Sequence, residues 1–195
     1  MNNKKYEFTG ESKAFKSGVI LHRIKAIRDF GDVHAGDLGG WIEKEKNLGH
    51  DGNAWVNDEA CVFGEAYVRD NAMICGNALV YNNAWIRDNA QVCDSASIFG
   101  SASILDGARI SGNALVYGNA WVFNHAHVYG NARVFGSAQI SGNARVFGSA
   151  WVFEDAHVYG NAQVYEDVLI LGHAWIFGNA QVHGNNRIVD YTQIS

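Results

Sequence analysis

The stretch GNALVYGNAWVFNHAHVYGNARVF, residues 112–135, is one six-residue unit written four times with substitutions. The same frame runs from Gly52 to Ser195 without insertion or deletion and gives 24 hexads. The fifth position is Val or Ile in all 24 hexads, and the third is Ala in 21. The exceptions at the third position are Val168, Asn186 and Thr192. A repeat this regular decides the fold before any other feature of the sequence.

The hexad predicts a short strand followed by a tight corner. Alternation over positions three to six points a small residue and a branched aliphatic residue inward and two variable residues outward. Gly, Asn or Asp at the first two positions tolerates the positive φ of a corner. Such short strands cannot bury a core alone, so each must stack on a copy of itself. We therefore predict an all-β fold, a single-stranded, triangular parallel β-helix of about eight coils with three hexads each.

The segment 1–51 has a different character from the array 52–195. It holds nine of the 15 basic residues and every lysine of the chain. The stretch GVILHRIKAIRDF, residues 18–30, predicts a strand, and residues 31–56 predict turns leading into the first coil. We expect a small N-terminal β cap over residues 1–51, which covers the open strand edges of a β-helix domain over residues 52–195.

Composition excludes several classes of function. The net charge of −5 does not favour a nucleic acid polymer as partner. No apolar run near the start resembles a signal peptide or membrane span, and membrane association is not expected. The three cysteines, Cys61, Cys75 and Cys93, are too few for a disulfide framework, which indicates a cytoplasmic protein. Cys75 and Cys93 fall on adjacent coils, but their parallel side chains are poorly aimed at each other, and we expect two free thiols.

The unit V-x-G-N-A-x, counted from the aliphatic residue, resembles the hexapeptide repeat of left-handed parallel β-helix proteins. That superfamily includes many trimeric acyltransferases and the γ-class carbonic anhydrases. The resemblance covers the array and implies a left-handed coil. Residues 1–51 resemble the leader of uncharacterised bacterial and phage hexapeptide-repeat proteins that carry an acetyltransferase label. This second resemblance implies a phage or prophage origin.

With three hexads per coil, residues 18 apart stack in columns, and the outward columns form three faces. We name them the first, second and third face, starting from Trp55, Cys61 and Tyr67 respectively. The second face carries an apolar column, which we call the aromatic ladder: Phe63, Tyr81, Phe99, Tyr117, Phe135, Phe153, Leu171 and Val189. A strip this long exceeds what a soluble monomer normally exposes, so we predict a homo-oligomer that buries it. The resemblance favours a trimer. The alternative is that the rings only stabilise successive rungs.

The third face contains the most suggestive constellation for a ligand. Ser103 forms a notch between Trp85 and Trp121, and Arg69 and Arg87 stack beside it. Indole rings and guanidinium groups suit a flat, anionic, nucleotide-like ligand. The alternative is that each arginine pairs with the aspartate that follows it in the sequence.

The sequence supports a catalytic or metal site less than it supports a ligand site on the third face. The resemblance to hexapeptide acyltransferases implies a histidine base at a subunit boundary, and His157 is the candidate. The array has no inserted loop to enclose a substrate, so a solvated or interfacial histidine is the alternative. No two of the eight histidines are five residues apart, as they are in γ-class carbonic anhydrases. We therefore expect no metal site and no cofactor.

The sequence favours binding over catalysis. The leading hypothesis is a non-enzymatic oligomeric β-helix that binds an unknown protein or sequesters a small ligand, with interference in host processes as its role. The first alternative is a coenzyme A-dependent acyltransferase that uses clefts between subunits. The second alternative is a structural rod that assembles end to end.

Overall fold

The computed structural model describes residues 4–15 and 18–195. Three longer strands come first: β1 (Tyr6–Ala14), β2 (Ile20–Ala26) and β3 (Leu38–Ile42), followed by a 3₁₀ helix over Glu45–Asn47. Strands β4–β27 each have two residues. In order they are Trp55–Val56, Cys61–Val62, Tyr67–Val68, Met73–Ile74, Leu79–Val80, Trp85–Ile86, Gln91–Val92, Ser97–Ile98, Ser103–Ile104, Arg109–Ile110, Leu115–Val116, Trp121–Val122, His127–Val128, Arg133–Val134, Gln139–Ile140, Arg145–Val146, Trp151–Val152, His157–Val158, Gln163–Val164, Leu169–Ile170, Trp175–Ile176, Gln181–Val182, Arg187–Ile188 and Gln193–Ile194.

The short strands form three parallel sheets, which are the walls of the predicted solenoid. Each short strand up to β24 pairs in parallel with the third strand after it, so that paired residues are 18 positions apart. Examples are the pairs Gln91↔Arg109, Ser97↔Leu115 and Ser103↔Trp121. The sheets that bear the first and third faces have eight strands each, and the second face belongs to an 11-stranded sheet that also includes β1–β3. The parallel β-helix and its columns are therefore confirmed. The left hand stays a prediction from the resemblance.

The core is a column of small and branched aliphatic side chains. The alanines of the third hexad position and the Val or Ile residues of the fifth are buried along the array, from Ala54 to Val182. Each rung contributes only two inward side chains, so burial depends on the rungs above and below. In the last coil Asn186 and Thr192 replace alanine, and their side chains hydrogen-bond to the backbone carbonyls of His183 and Val189.

The corners explain which residues start the hexads. The first position has positive φ in every hexad, occupied by glycine at 14 positions and by Asp, Asn or Glu at ten. At Gly112 an added Cβ would also lie 2.8 Å from the backbone nitrogen of Gly130. Several corner carboxylates accept a hydrogen bond from a backbone N–H of the corner one coil further on. Asp94 accepts from Gly112 N at 2.8 Å, and Asp106 accepts from Asn124 N at 3.0 Å.

The N-terminal segment adds a turn to the solenoid that the hexad pattern does not predict. β3 pairs in parallel with Cys61–Val62 through Trp41↔Cys61, and Leu48 bridges to Val68. These offsets are 20 residues rather than 18. Leu48 and Trp55 are seven residues apart, whereas their partners Val68 and Met73 are five apart, so the two extra residues lie after Leu48. With the eight coils of the array, the solenoid has about nine turns. The antiparallel β1–β2 hairpin extends from β3, which confirms a small N-terminal β cap.

Buried polar side chains fasten the cap to the first coil. The Asn47 amide nitrogen donates to the carbonyls of Gly64 and Ala66 at 3.1 and 2.8 Å. The buried Lys5 ammonium donates to the carbonyl of Gly52 at 3.2 Å, and burial lowers its pKa to about 8. Because an unpaired buried polar group is costly, these bonds fix the cap in one position.

Glu59 joins the hairpin to the second face. Its carboxylate accepts hydrogen bonds from the Arg23 guanidinium at 2.6 Å, the Trp41 indole at 2.9 Å and the Lys13 ammonium at 3.2 Å. The bond from Arg23, followed by those from Trp41 and Lys13, lowers the pKa of Glu59 to about 2. The ionised carboxylate is therefore a link between cap and array.

The expectation of two free thiols at Cys75 and Cys93 is wrong. Their sulfurs form a disulfide across adjacent rungs of the first face, with the Cα atoms 4.6 Å apart. The rung spacing of the sheet itself brings the two Cα atoms within disulfide range. Side chains that leave the wall in parallel still reach each other, because rotation about χ1 turns each sulfur along the column. Cys61 is buried and free.

We expect the cap to loosen in acid through Glu59. A carboxyl group whose pKa is lowered in the folded state stabilises the fold above its unfolded pKa, near 4.5, and this contribution is lost as the pH falls toward 2. The Glu59→Gln variant should therefore unfold at a lower temperature than wild type at pH 7, with the gap closing toward pH 2. Glu7→Gln is the matched control, since the Glu7 carboxylate pairs with Lys25 of β2 inside the hairpin and not across the junction between cap and array. If the melting temperatures of wild type and Glu59→Gln differed equally at pH 7 and near pH 2, the assignment of Glu59 as a link between cap and array would be contradicted.

We expect the denatured protein to expose one reactive thiol without reductant and three after reduction, because only Cys61 is free. Thiol titration in denaturant, followed by peptide mass analysis, measures this directly. Three thiols before reduction would show that Cys75 and Cys93 are not bridged.

Candidate functional site

The aromatic ladder of the second face is a continuous stack. Ring centroids of successive residues from Phe63 to Phe153 lie 4.7–5.0 Å apart, and the ring planes are within 10° of parallel. Leu171 and Val189 extend the column beyond the last ring and are half-buried. Since each ring covers its neighbours' faces, what the ladder presents outward is a row of ring edges.

The first ring of the ladder is covered by the chain itself. Phe15, at the end of β1, lies 5.3 Å from Phe63, and Val19 packs in the same cluster with Leu79. Phe15, Val19, Phe63 and Tyr81 line a pocket of ≈ 450 Å³ at this end of the face. The part of the ladder that is open to another molecule therefore begins at Tyr81.

The structure brings the residues of the third-face notch together as the columns predict. Ser103 pairs with Trp85 on one side and Trp121 on the other. The two indoles are 48% and 47% exposed, so the notch between them is open to solvent. The Arg69 guanidinium lies 5.6 Å from the centre of the Trp85 ring.

Each of the two arginines of the notch has a partner in the aspartate that follows it, at the first position of the next hexad. Arg69 Nε lies 3.5 Å from Asp70 Oδ2, and Arg87 Nε lies 3.6 Å from Asp88 Oδ2. Both Nε atoms are buried without a hydrogen bond. The structure therefore has the pairing of each arginine with the aspartate that follows it, which the sequence offered as the alternative to a ligand site. Binding of an anionic ligand here stays a prediction, and it would require the arginine charges to be shared with these aspartates.

His157 lies on the third face next to Trp175, with ring centroids 5.4 Å apart. Burial lowers its pKa, Asp155 raises it and His173 lowers it further. Asp155 pairs with His173 at 3.7 Å, and no hydrogen bond to the His157 ring is present among the described residues. A base in this position would be neutral at pH 7 but is not oriented by a carboxylate. Among residues 4–15 and 18–195, no group of three or more His, Cys, Asp or Glu side chains is placed to hold a metal ion.

The array separates its charges in a way that sequence reasoning missed. Its carboxylates all occupy the first two hexad positions: Asp58, Glu59, Glu65, Asp70, Asp88, Asp94, Asp106, Glu154, Asp155, Glu166, Asp167 and Asp190. Its arginines all lie on the flat faces: Arg69, Arg87, Arg109, Arg133, Arg145 and Arg187. The signal was in the sequence, since the hexad frame alone sorts the charges. Carboxylates at the corners accept hydrogen bonds from backbone N–H groups, and the charged side chains on the flat faces of the array are all cationic.

One group of these cations lies in a single column on the first face. Arg109 pairs in register with His127, and His127 with Arg145. Both arginines are exposed, and the histidine is half-buried. In the described part of the chain, neither arginine makes an ion pair or a hydrogen bond through its side chain.

Among the described residues, no helix is long and apolar enough to cross a membrane.

Comparison with known proteins agrees with the fold. Residues 72–88, 108–123, 126–139 and 138–154 match the model of the YdcK beta solenoid repeat. The chain is similar to the Escherichia coli (strain K12) protein named "Uncharacterized acetyltransferase YdcK", with 42% identity over 73 residues. That match covers 33% of this chain and 22% of the relative, so the chain matches less than a quarter of that protein's length. The chain is a hexapeptide-repeat parallel β-helix protein, and its repeats are similar to those of the YdcK solenoid.

Proposed function

We propose that this protein is a self-associating β-helix that acts by binding, with the second face buried between copies. The observation that supports the proposal most is the uninterrupted aromatic ladder. Its rings stack along most of the array, whereas the exposed indoles of the third face are separated by Ser103 and Gln139. A continuous apolar strip of this length is typical of a protein contact surface.

The chemistry of the second face suits a contact between copies. The first outward column of this face adds Leu79, Leu115, Trp151 and Leu169 beside the ladder. The one arginine in its middle, Arg133, lies over the Trp151 ring at 4.6 Å, which places its charge against an aromatic surface. Identical copies related by a rotation axis parallel to the solenoid would bring ladder against ladder from Tyr81 onward. The resemblance of the hexad to that of the trimeric hexapeptide-repeat acyltransferases favours three copies.

The third-face notch is the surface that we assign to a further partner. Trp85 and Trp121 offer two half-exposed indoles with the small Ser103 between them, a geometry that accepts a flat group. A small ligand or a segment of another protein fits this chemistry. A phage or prophage origin and interference with a host process through sequestration are parts of the same proposal. So is a cytoplasmic location, in which the Cys75–Cys93 bridge would be exposed to reduction.

An acyltransferase is the second candidate function, because the similar E. coli protein carries that name. Against it, successive short strands from Trp55 to Ile194 are joined only by short corners, and no longer loop projects from the array to hold an acyl donor. If the protein is an acyltransferase, coenzyme A should bind in calorimetry, and His157→Ala should abolish turnover. We expect no coenzyme A binding, and saturable binding would overturn the non-enzymatic proposal.

We expect Phe135→Arg to break the oligomer into monomers, because it places a charge in the middle of the buried ladder. The matched control is Phe147→Arg on the first face, where the ring also stacks between two others, at 4.8 and 4.9 Å. Both variants lose ring stacking, so both should lower the melting temperature, but only Phe135→Arg should lower the mass measured by light scattering.

Two results would contradict this proposal. If the wild-type protein is monomeric at all concentrations, the aromatic ladder only stabilises the stacking of successive coils and is not a contact between copies. Masses that grow continuously with concentration would instead indicate an end-to-end rod.

A further inference from the structure

The first face has a gap in a second, shorter aromatic column. Tyr129, Phe147 and Tyr165 stack with centroids 4.8 and 4.9 Å apart, and His183 continues the stack. On the other side of Tyr129 the column continues with Ser111. Among the described residues, no ring covers the face of Tyr129 that points toward Ser111. A serine in a column of rings therefore leaves one ring face open.

The gap is a slot with a floor and a ceiling. Cys93 lies one rung beyond Ser111, and its sulfur is bonded to Cys75 and thus drawn away from Ser111. The space between Tyr129 and Cys93 belongs to a pocket of ≈ 240 Å³ that is also lined by Ser111, Arg109 and His127. Two rung spacings amount to about 9.6 Å, which admits one planar ring between floor and ceiling.

The cationic column runs alongside this slot. Arg109, His127 and Arg145 occupy the outward position two residues before Ser111, Tyr129 and Phe147, a distance of about 6.6 Å along each strand. Asp94 and Asp106, at the corners beside this face, accept backbone N–H groups of the next coil. No flat-face position of the array carries a carboxylate. The column is therefore a positive strip in a chain whose net charge is −5.

The titration of His127 reflects that positive strip. Burial lowers the pKa of His127 first, and the charges of Arg109, Arg145 and His125 lower it further. β13 and β19 flank the strand of His127, and each contributes an arginine. Among the other arginines of the array, Arg69 and Arg87 pair with aspartates and Arg133 lies on Trp151. Arg187, in the last coil, has no ion pair among the described residues, but its neighbour in the column is Leu169 rather than another cation.

We propose that this slot and strip form a binding site for a flat aromatic ring that carries phosphate groups, such as a nucleotide. The ring stacks on Tyr129 over Ser111, and the phosphates lie along Arg109, His127 and Arg145. Stacking on an open aromatic face accepts any flat base, and guanidinium groups hold phosphate oxygens through charge-assisted hydrogen bonds. The site is on a different face from the aromatic ladder and does not depend on self-association.

The probes that test the site are ATP, adenosine and inorganic triphosphate, titrated by calorimetry into the protein of residues 1–195. ATP should bind saturably, and adenosine and triphosphate should each bind at least about tenfold more weakly, since each makes only half of the contacts. Raising the ionic strength should weaken ATP binding, because the strip is solvent-exposed. Absence of ATP binding at millimolar concentration would overturn the proposal.

Ser111→Phe separates this site from a general affinity for anions. The substitution extends the stack of Tyr129 and Phe147, so the melting temperature should be unchanged or higher, while the filled slot should weaken ATP binding at least about tenfold. Triphosphate binding should persist in this variant. Arg109→Gln should weaken both ATP and triphosphate binding, and Tyr129→Leu is a second variant that removes the stacking face.

Ser103→Phe is the matched control, because it fills the third-face notch between Trp85 and Trp121 in the same way. ATP binding should be unchanged in this variant if the first-face slot is the site. Loss of ATP binding in Ser103→Phe but not in Ser111→Phe would overturn the proposal and assign the nucleotide to the third face. Equal binding in wild type and Ser111→Phe would also overturn it.

Discussion

The interaction on which the whole structure depends is the backbone hydrogen bond between residues one coil apart. Each rung donates to the next, as from Asn113 N to the Gly130 carbonyl at 2.7 Å and from Leu115 N to the Ala132 carbonyl at 2.9 Å. Strands of two residues gain little stability from the other strands of the same coil. Each coil is therefore stable only when it is stacked between its neighbours. This constraint explains why the chain contains no proline and why every hexad starts with a residue that accepts positive φ.

The same constraint decides where function is encoded. Inward positions are restricted to Ala and Val or Ile by the narrow interior, and corners are restricted by φ and by the need to cap N–H groups. Only the two outward positions of each hexad vary freely. Because carboxylates occupy corners, the variable positions are left with aromatic, polar and cationic side chains. The three faces differ for that reason: an aromatic ladder on the second, separate indoles on the third, and a cationic strip beside an open ring face on the first.

The sequence alone predicted the features that depend only on the six-residue period of the array. Columns such as Phe63, Tyr81 and Phe99, and the notch at Ser103, are arithmetic consequences of an 18-residue coil, and the structure has them. The extra turn through Trp41 and Leu48 was not predictable from that arithmetic, because its offset is 20 residues and it lacks the hexad. The Cys75–Cys93 bridge does not follow from the period alone, because it depends on the rotamers of the two side chains as well as on the 18-residue spacing. The pairing of Arg69 with Asp70 was visible in sequence only as one of two alternatives.

The central claim is that the second face is the contact between copies, and photo-crosslinking tests it most directly. A photoreactive phenylalanine analogue placed at Tyr117, in the middle of the ladder, should yield covalent dimers on irradiation of the native protein. The same analogue at Tyr165, which is stacked in the column of the first face, should yield none. Crosslinks at Tyr165 but not at Tyr117 would show that the copies meet through another face and would contradict this account.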